Sequence, residues 1–396
     1  MSGGTKMNDC TDLPCLLPFF MHIDSILAHA GCDPDHDQED ATPPIHLATT
    51  FRRDAEGNWP SGHKYARTSN PTRARLEYVL AEIESASRAL AFSSGMAAAA
   101  ALLNSLDAGA TVMLARDVYF GVRVLATDMA VRDLIRLHLF DAHVGLNSED
   151  LEALAAAQLV WIETPSNPLL QISDISLLAD ACRRHGPHAR LVVDGTWTTP
   201  LIQQPLTLGA DIVVHSLTKY MAGHSDVLGG ALLFAREDDL HDRVRRTQET
   251  GGAVLDPFSC WLTLRGLRTL SARLRIQQES ALTVARFLDQ HPRVTHVHFP
   301  GLGSHPGHAV AVRQMRGFGA MCSFQTGLSA ERTLQITARA QVFLQATSLG
   351  GTESLIEHRR SAEGEASRTP EDLVRLSMGL EHVDDLIGDL TRILNY

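Results

Sequence analysis

The sequence predicts an α/β protein with a largely parallel sheet, followed by a smaller α/β unit at its C-terminal end. Three observations predict it. From about residue 88, short apolar runs alternate with helix-patterned stretches, as successive strand–helix units require. Polar residues (Ser93, Ser94, Glu163, Asp194, Ser216) fall at or just beyond the ends of those runs, where open parallel sheets bind ligands. After Asp256-Pro257 the alternation gives way to a long helical pattern and then to a second, shorter series of elements.

In order, "RALAF" (88–92), "TVMLA" (111–115), "LVWIE" (159–163), "RLVVD" (190–194), "DIVVHS" (211–216) and "GALLFA" (230–235) read as buried strands. Between them, "GMAAAAALLNSL" and "DISLLADACRRHG" read as helices, the second closed by Gly186 as a C-cap. An Arg/Leu/Gln pattern predicts one helix over roughly 259–290, and "VTHVHFPGLGSHPGH" leads into a small α/β unit over about 293–396. Residues 362–371, "AEGEASRTPE", read as an exposed loop.

A chain of 396 residues has room for two or three domains and a large core. Its net charge of −11 argues against general binding to nucleic acid or anionic membranes. The six cysteines form no C-x-x-C pair and read as reduced thiols of a cytoplasmic protein. Nineteen histidines are scattered without zinc-like cysteine partners, so no metal site is expected. "LPCLLPFFM" (13–21) carries two prolines and follows acidic residues, unlike a targeting segment, and residues 1–22 read as a disordered extension. No apolar run reaches membrane-spanning length.

Lysine is rare here: Lys6, Lys64 and Lys219 are the three in the chain. Lys219 follows a buried strand and precedes a Gly-rich run, in "VVHSLTKYMAGHSDVLGG", so its side chain can face a cavity or simply close the strand at the surface. Partial burial near other cations would lower its pKa, which covalent amine chemistry requires. Asp194 ends an apolar strand, either as a helix N-cap or as an anion kept for a charged partner such as a pyridinium nitrogen. "FSSGMAA" joins a strand to an Ala-rich helix, where the N–H groups of Gly95 and Met96 can face a phosphate, although serine also serves as a plain helix cap. Ser216 and Thr218 can add hydroxyls to the same phosphate. Tyr119, one of five tyrosines, suits either stacking on a flat ring with acid–base work, or core packing.

These residues carry a resemblance. "YARTSNPT", "FSSGMAA", "DVYFG", "ETPSNP", "VVDGTWTTP", "GADIVVHSLTKYMAGHSDVLGG", "SLGGTESLIEH" and "LVRLSMGLE" occur in the order and spacing of the Cys/Met-metabolism family of pyridoxal-phosphate enzymes, from about Ile23 to the C-terminus. The chain resembles the cystathionine γ-synthases and γ-lyases of that family. The resemblance implies fold type I, the aspartate-aminotransferase-like arrangement, with pyridoxal 5'-phosphate held covalently on Lys219. It implies that Asp194 pairs with the pyridine nitrogen, that Tyr119 stacks on the ring, and that Gly95, Met96, Thr196, Ser216 and Thr218 surround ring and phosphate. Tyr65 and Arg67 resemble a pair that reaches the phosphate of a neighbouring subunit, which implies a homodimer at least and a homotetramer by family habit. Asn167, Ser348 and Arg375 resemble the residues around the ring hydroxyl and the substrate carboxylate. The implied organisation is an arm over 23–65, a cofactor domain over 66–257 and a C-terminal domain over 258–396. The implied activity is γ-replacement or γ-elimination on a homoserine- or cystathionine-type amino acid. Cystathionine β-lyase, methionine γ-lyase or another homoserine γ-lyase are the alternatives inside the family, and an aminotransferase of the same fold is the alternative outside it.

The sequence also departs from the family. Gly195 stands where Asn usually follows the Asp, which would loosen the backbone beside the ring. Phe120 replaces a usual Gly, and Arg123 is displaced by one position. "EHRRSAEGE" replaces a Pro-Ala-Ser-Met-Thr-His type run. Thr347 and Lys64 occupy positions that are often acidic in relatives, and on this reading the distal pocket prefers an anionic or neutral substituent to the ammonium of cystathionine.

Overall fold

The computed structural model describes residues 21–32, 40–364 and 369–396. Residues 1–20 of the expected N-terminal extension (1–22) and residues 365–368 of the 362–371 loop lie outside the described residues. The strands are β1 (Arg88–Phe92), β2 (Ala110–Ala115), β3 (Ile135–Phe140), β4 (Ala157–Glu163), β5 (Arg190–Asp194), β6 (Ile212–His215) and β7 (Gly230–Phe234). They form one sheet in the order β1-β7-β6-β5-β4-β2-β3, parallel except for β7, which runs antiparallel to both neighbours. The second sheet holds β8 (His296–His298), β9 (Met321–Gln325), β10 (Leu344–Gln345), β11 (Leu355–His358) and β12 (Leu373–Ser377), in the order β10-β11-β12-β9-β8.

Strand periodicity sorts the core. Along β1, β6 and β7 successive side chains point to opposite faces. Ala89, Ala91, Val213, Ala231 and Leu233 join one cluster, which continues through Leu76 and Leu80 to Leu264, Leu376 and Leu390. Leu90, Phe92, Ile212, Val214, Leu232 and Phe234 join the other, with Trp161 and the helix Gly95–Asn104. The first cluster therefore ties the large sheet to the C-terminal sheet, and the site lies where the two meet.

Local chemistry starts the helices where the sequence indicates. Asn70 accepts from the N–H groups of Thr72 and Arg73 at 2.9 and 3.2 Å, and Pro71 opens the helix Pro71–Glu84. Asp174 caps Ile175–His185, which ends at Gly186 as expected. Residues 40–69 run as turns and extended backbone, pinned by Trp261 Nε1 donating to Pro43 O at 2.9 Å and Asn70 Nδ2 to His46 O at 2.8 Å.

Two elements differ from expectation. The helix expected over 259–290 is two, Pro257–Leu267 and Leu270–Asp289. Gly266 marks the break by contact rather than conformation: a Cβ there would lie 2.2 Å from Ala222 O. Strand β3 has no counterpart in the sequence reading, because Arg136, Leu137, His138 and Leu139 are partly or fully exposed at the sheet edge and no apolar run results.

Gly230 fixes the approach of β7 to the turn before the Ala-rich helix. A Cβ at this position would sit 2.3 Å from Ser94 O and 2.5 Å from Gly95 N, both backbone atoms. Gly230→Ala is therefore expected to cost about 1–3 kcal/mol or more by overpacking, read as a lowered Tm. Gly388→Ala is the control. It lies exposed in the helix Val383–Leu394 with nothing within 4 Å of its Cβ position, and is expected to stabilise by up to about 1 kcal/mol.

Candidate active site

Parallel pairing sets Glu163 opposite Asp194 at the carboxyl ends of β4 and β5, with Val214 of β6 beyond. Two neighbouring carboxyls away from water disfavour joint ionisation. Burial first, then the Asp194 charge, push Glu163 well above the usual carboxylate range, against the pull of the Tyr119 N–H. Burial also raises Asp194, which remains partly open at the strand end while its Oδ1 accepts from Thr196 N–H at 2.9 Å. Glu163 Oε2 accepts from Tyr119 N–H at 2.6 Å, so the same carboxyl anchors Tyr119 at the start of the helix Phe120–Val131.

Next along β6, His215 Nε2 lies 2.9 Å from Glu84 Oε2, with the two side chains 1% and 0% exposed. Gly195 lies against this ring: a Cβ there would come within 3.0 Å of His215 Cε1. The expected loosening at position 195 is thus a close approach over a buried His–Glu pair.

The opposite wall comes from the C-terminal sheet. Arg375, on β12 and 4% exposed, donates through Nη1 to Asn167 Oδ1 at 3.0 Å. Its Nη2 donates to Ser348 O at 3.1 Å and to Glu357 Oε2 at 2.5 Å. Lys219 Nζ donates to Ser348 Oγ at 2.7 Å. Ser348 therefore bridges the amine and the guanidinium, with its hydroxyl on one and its carbonyl on the other. It does so at φ +85°, a left-handed backbone that costs a non-glycine residue on the order of 1–3 kcal/mol. Burial, then the Arg375 cation, lower the Lys219 pKa to about 8; Glu357 opposes the shift and Arg359 adds to it.

The phosphate-sized end is built from the first turn of the helix Gly95–Asn104. Ser94 Oγ accepts from Ala97 N–H at 3.0 Å, and the N–H groups of Gly95 and Met96 precede the first intrahelical bonds. The site a Gly95 Cβ would occupy lies 3.5 Å from Ser216 Oγ, and Ser216 N–H donates to Thr196 Oγ1 at 2.9 Å. Thr218 Oγ1 donates to Gly229 O at 3.2 Å and accepts from Gly229 N–H at 3.0 Å, so within the chain its hydroxyl hydrogen secures the Gly-rich loop. A Cβ at Gly121 would lie 2.8 Å from both Met96 Sδ and Tyr119 Cε1, which places the tyrosine ring beside Met96. An amine drawn toward its neutral form, a carboxylate at a strand end, an exposed tyrosine ring and a helix N-terminus make a donor set that fits pyridoxal phosphate.

The arm residues make their contacts elsewhere within the chain. Tyr65 is 46% exposed and bridges Thr50. Arg67 Nη1 donates to Glu249 O at 2.6 Å, with its guanidinium 5.8 Å from the Tyr65 ring. Lys64 Nζ stands 5.1 Å from the Trp59 ring, which the Arg53 guanidinium also covers at 4.0 Å. Thr347 is exposed beside Ser348. Arg123 turns along its own helix, 5.6 Å from the Phe120 ring, and donates to Arg116 O at 3.3 Å.

The sequence reading missed four residues of this neighbourhood. Glu163 entered it only as a strand-end polar group. Glu84 was legible as a carboxylate on the buried face of Leu76, Leu80 and Ile83. Glu357 and Arg359 lie in the "EHRRSAEGE" run that departs from the family, and both are buried.

The family model for "Cys/Met metabolism PLP-dependent enzyme" matches residues 24–395. The chain is 44% identical over 377 residues to the cystathionine gamma-synthase of Mycobacterium tuberculosis (strain H37Rv), covering 92% of this chain and 95% of that one. It is 38% identical over 381 residues to the cystathionine gamma-lyase of Bacillus subtilis (strain 168), covering 93% and 98%. Among solved structures, the cystathionine gamma synthase from Xanthomonas oryzae pv. oryzae in complex with cystathionine superposes with a TM-score of 0.89 at 40% identity, covering 95% of this chain and 98% of that one. A methionine gamma lyase from Micromonospora echinospora gives 0.86 at 42% identity, covering 95% and 99%. With nearly its whole length matched, the chain belongs to the Cys/Met-metabolism family of pyridoxal-phosphate-dependent enzymes.

Proposed function

We propose that this enzyme carries out γ-replacement or γ-elimination on a homoserine- or cystathionine-type amino acid, with Lys219 as the cofactor-bearing and proton-moving residue. The observation that carries the reading is the linkage of Lys219 through Ser348 to Arg375 and Asn167. It sets a proton-transfer amine beside a carboxylate receptor, and the relatives named gamma-synthase and gamma-lyase supply the substrate class.

Bound at Lys219, pyridoxal phosphate supplies an electron sink for charge developing at the substrate Cα. Asp194 would pair with the ring nitrogen, and Gly95, Met96, Thr196 and Ser216 would hold ring and phosphate, with Thr218 fixing the loop behind them. Arg375 binds the substrate carboxylate through its planar fork. The Lys219 amine, with a pKa of about 8 when free of the cofactor, would take the Cα proton once the substrate amine has displaced it. A second transfer at Cβ by the same amine lets the γ-substituent depart, and Tyr119 assists by giving it a proton. Tyr65 and Arg67 serve the phosphate of a second subunit, which makes the active unit a homodimer at minimum, assembled as a homotetramer. The arm over 23–65, the cofactor domain over 66–257 and the C-terminal domain over 258–396 follow from that division of labour. No described helix is long and apolar enough to cross a membrane, and the four described cysteines are free; both suit a cytoplasmic enzyme.

Incubation with O-succinylhomoserine and cysteine is expected to yield cystathionine, and O-succinylhomoserine alone a 2-oxo acid with ammonia. A 2-oxo acid formed without ammonia or a departing γ-group would mean transamination instead. Lys64→Glu is expected to shift preference from O-succinylhomoserine toward cystathionine in competition assays, and an unchanged preference rejects a distal pocket that prefers an anionic or neutral substituent. Lys219→Ala is expected to lower kcat by about 10²–10⁴-fold. Reconstitution of the cofactor-free enzyme should quicken as pH rises through about 8, because lowering the lysine pKa makes the neutral, reactive amine available above that value.

A further inference from the structure

Behind Arg375 lies a row of buried charges that the chemistry above leaves unused. Pairing of β11 with β12 sets Glu357 opposite Arg375. Glu357 Oε2 accepts from Arg375 Nη2 at 2.5 Å and from Arg359 Nη1 at 3.1 Å, while Arg359 Nε donates to Glu363 Oε1 at 2.9 Å. Arg375, Glu357 and Arg359 are 4%, 6% and 8% exposed. Both guanidiniums meet at one carboxylate oxygen, and Glu357 Oε1 is buried with no partner among the described residues. Arg359 lies within electrostatic range of Lys219 as well as Arg375.

Solvent screens such a row poorly, so the way its two guanidiniums share the carboxylates of Glu357 and Glu363 governs what can bind beside it. With Glu357 alone, Arg375 would form a closed neutral pair and offer an arriving carboxylate little net attraction. Arg359 divides the hold on Glu357 between two cations and leaves part of the Arg375 charge for the substrate.

We propose that Arg359 is a positioning residue that sets the affinity of Arg375 for the substrate α-carboxylate by counterbalancing Glu357. The proposal rests on the reading of Arg375 as the carboxylate receptor. Its test uses the holoenzyme and two probes that differ only in the carboxylate, glycine and methylamine, each titrated by the change in cofactor absorbance. The ratio of the two dissociation constants measures carboxylate recognition. Arg359→Met should cut that ratio about tenfold or more, Glu357→Gln should raise it, and the double variant should return it to within about threefold of the parent. A purely structural role for Arg359 would weaken both probes alike, and that result overturns the proposal. So does a failure of Glu357→Gln to rescue Arg359→Met. If Arg359→Met does not fold, Glu357→Gln decides alone: an unchanged or lowered ratio overturns the proposal. Arg375→Met separates the premises. If it keeps the ratio, the carboxylate-receptor reading itself fails; if it loses the ratio while Arg359→Met keeps it, the proposal on Arg359 alone fails.

Discussion

The bond from Lys219 Nζ to Ser348 Oγ is the interaction on which the rest of the site depends. It joins the loop after β6 to the segment before β11, so the two sheets have to be docked before the amine reaches its place. Ser348 makes the join in a left-handed backbone, a strain held by its carbonyl bond to Arg375. The continuous apolar cluster running from Leu76 through Tyr220 and Leu264 to Leu390 supplies the docking energy. Precision at the amine is thus a product of inter-sheet packing.

Electrostatics divides the site into two sides. On the β4–β5 side, Glu163 and Asp194 are pushed up together, with Glu163 more strongly displaced, and the Tyr119 N–H is tied to it. Two buried carboxyls so close disfavour joint ionisation, and a cationic partner at Asp194 would relieve that. On the β11–β12 side, Arg375 and Arg359 meet at Glu357, with Glu363 on the far side of Arg359, and burial, then the Arg375 cation, lower the pKa of the amine. The reacting centre lies between an acid pair and a basic row, so substrate charge is oriented before any proton moves.

Much of this was legible in the sequence, and the gaps have physical causes. Strands β1, β2 and β4–β7 were readable because both their faces are buried, which turns them into continuous apolar runs. Edge strand β3 lacked that signal, since Arg136 and His138 interrupt it. The break before Leu270 was hidden because no proline marks it; Gly266 is needed for contact with Ala222 across the fold, which no local pattern encodes. Lys219, Asp194, Ser348 and Arg375 were found through motif order. Arg359 and Glu84 were not, because their roles depend on partners 16 and 131 residues away in the chain, Arg375 and His215.

The central claim is that Lys219 carries the cofactor, and borohydride reduction of the holoenzyme followed by peptide mass mapping tests it most directly. With three lysines in the chain the outcome is unambiguous. The account predicts the reduced pyridoxyl-phosphate mass on the peptide containing Lys219 and unmodified peptides for Lys6 and Lys64. A label on Lys64 or Lys6, or none on Lys219 in a fully loaded enzyme, would contradict it.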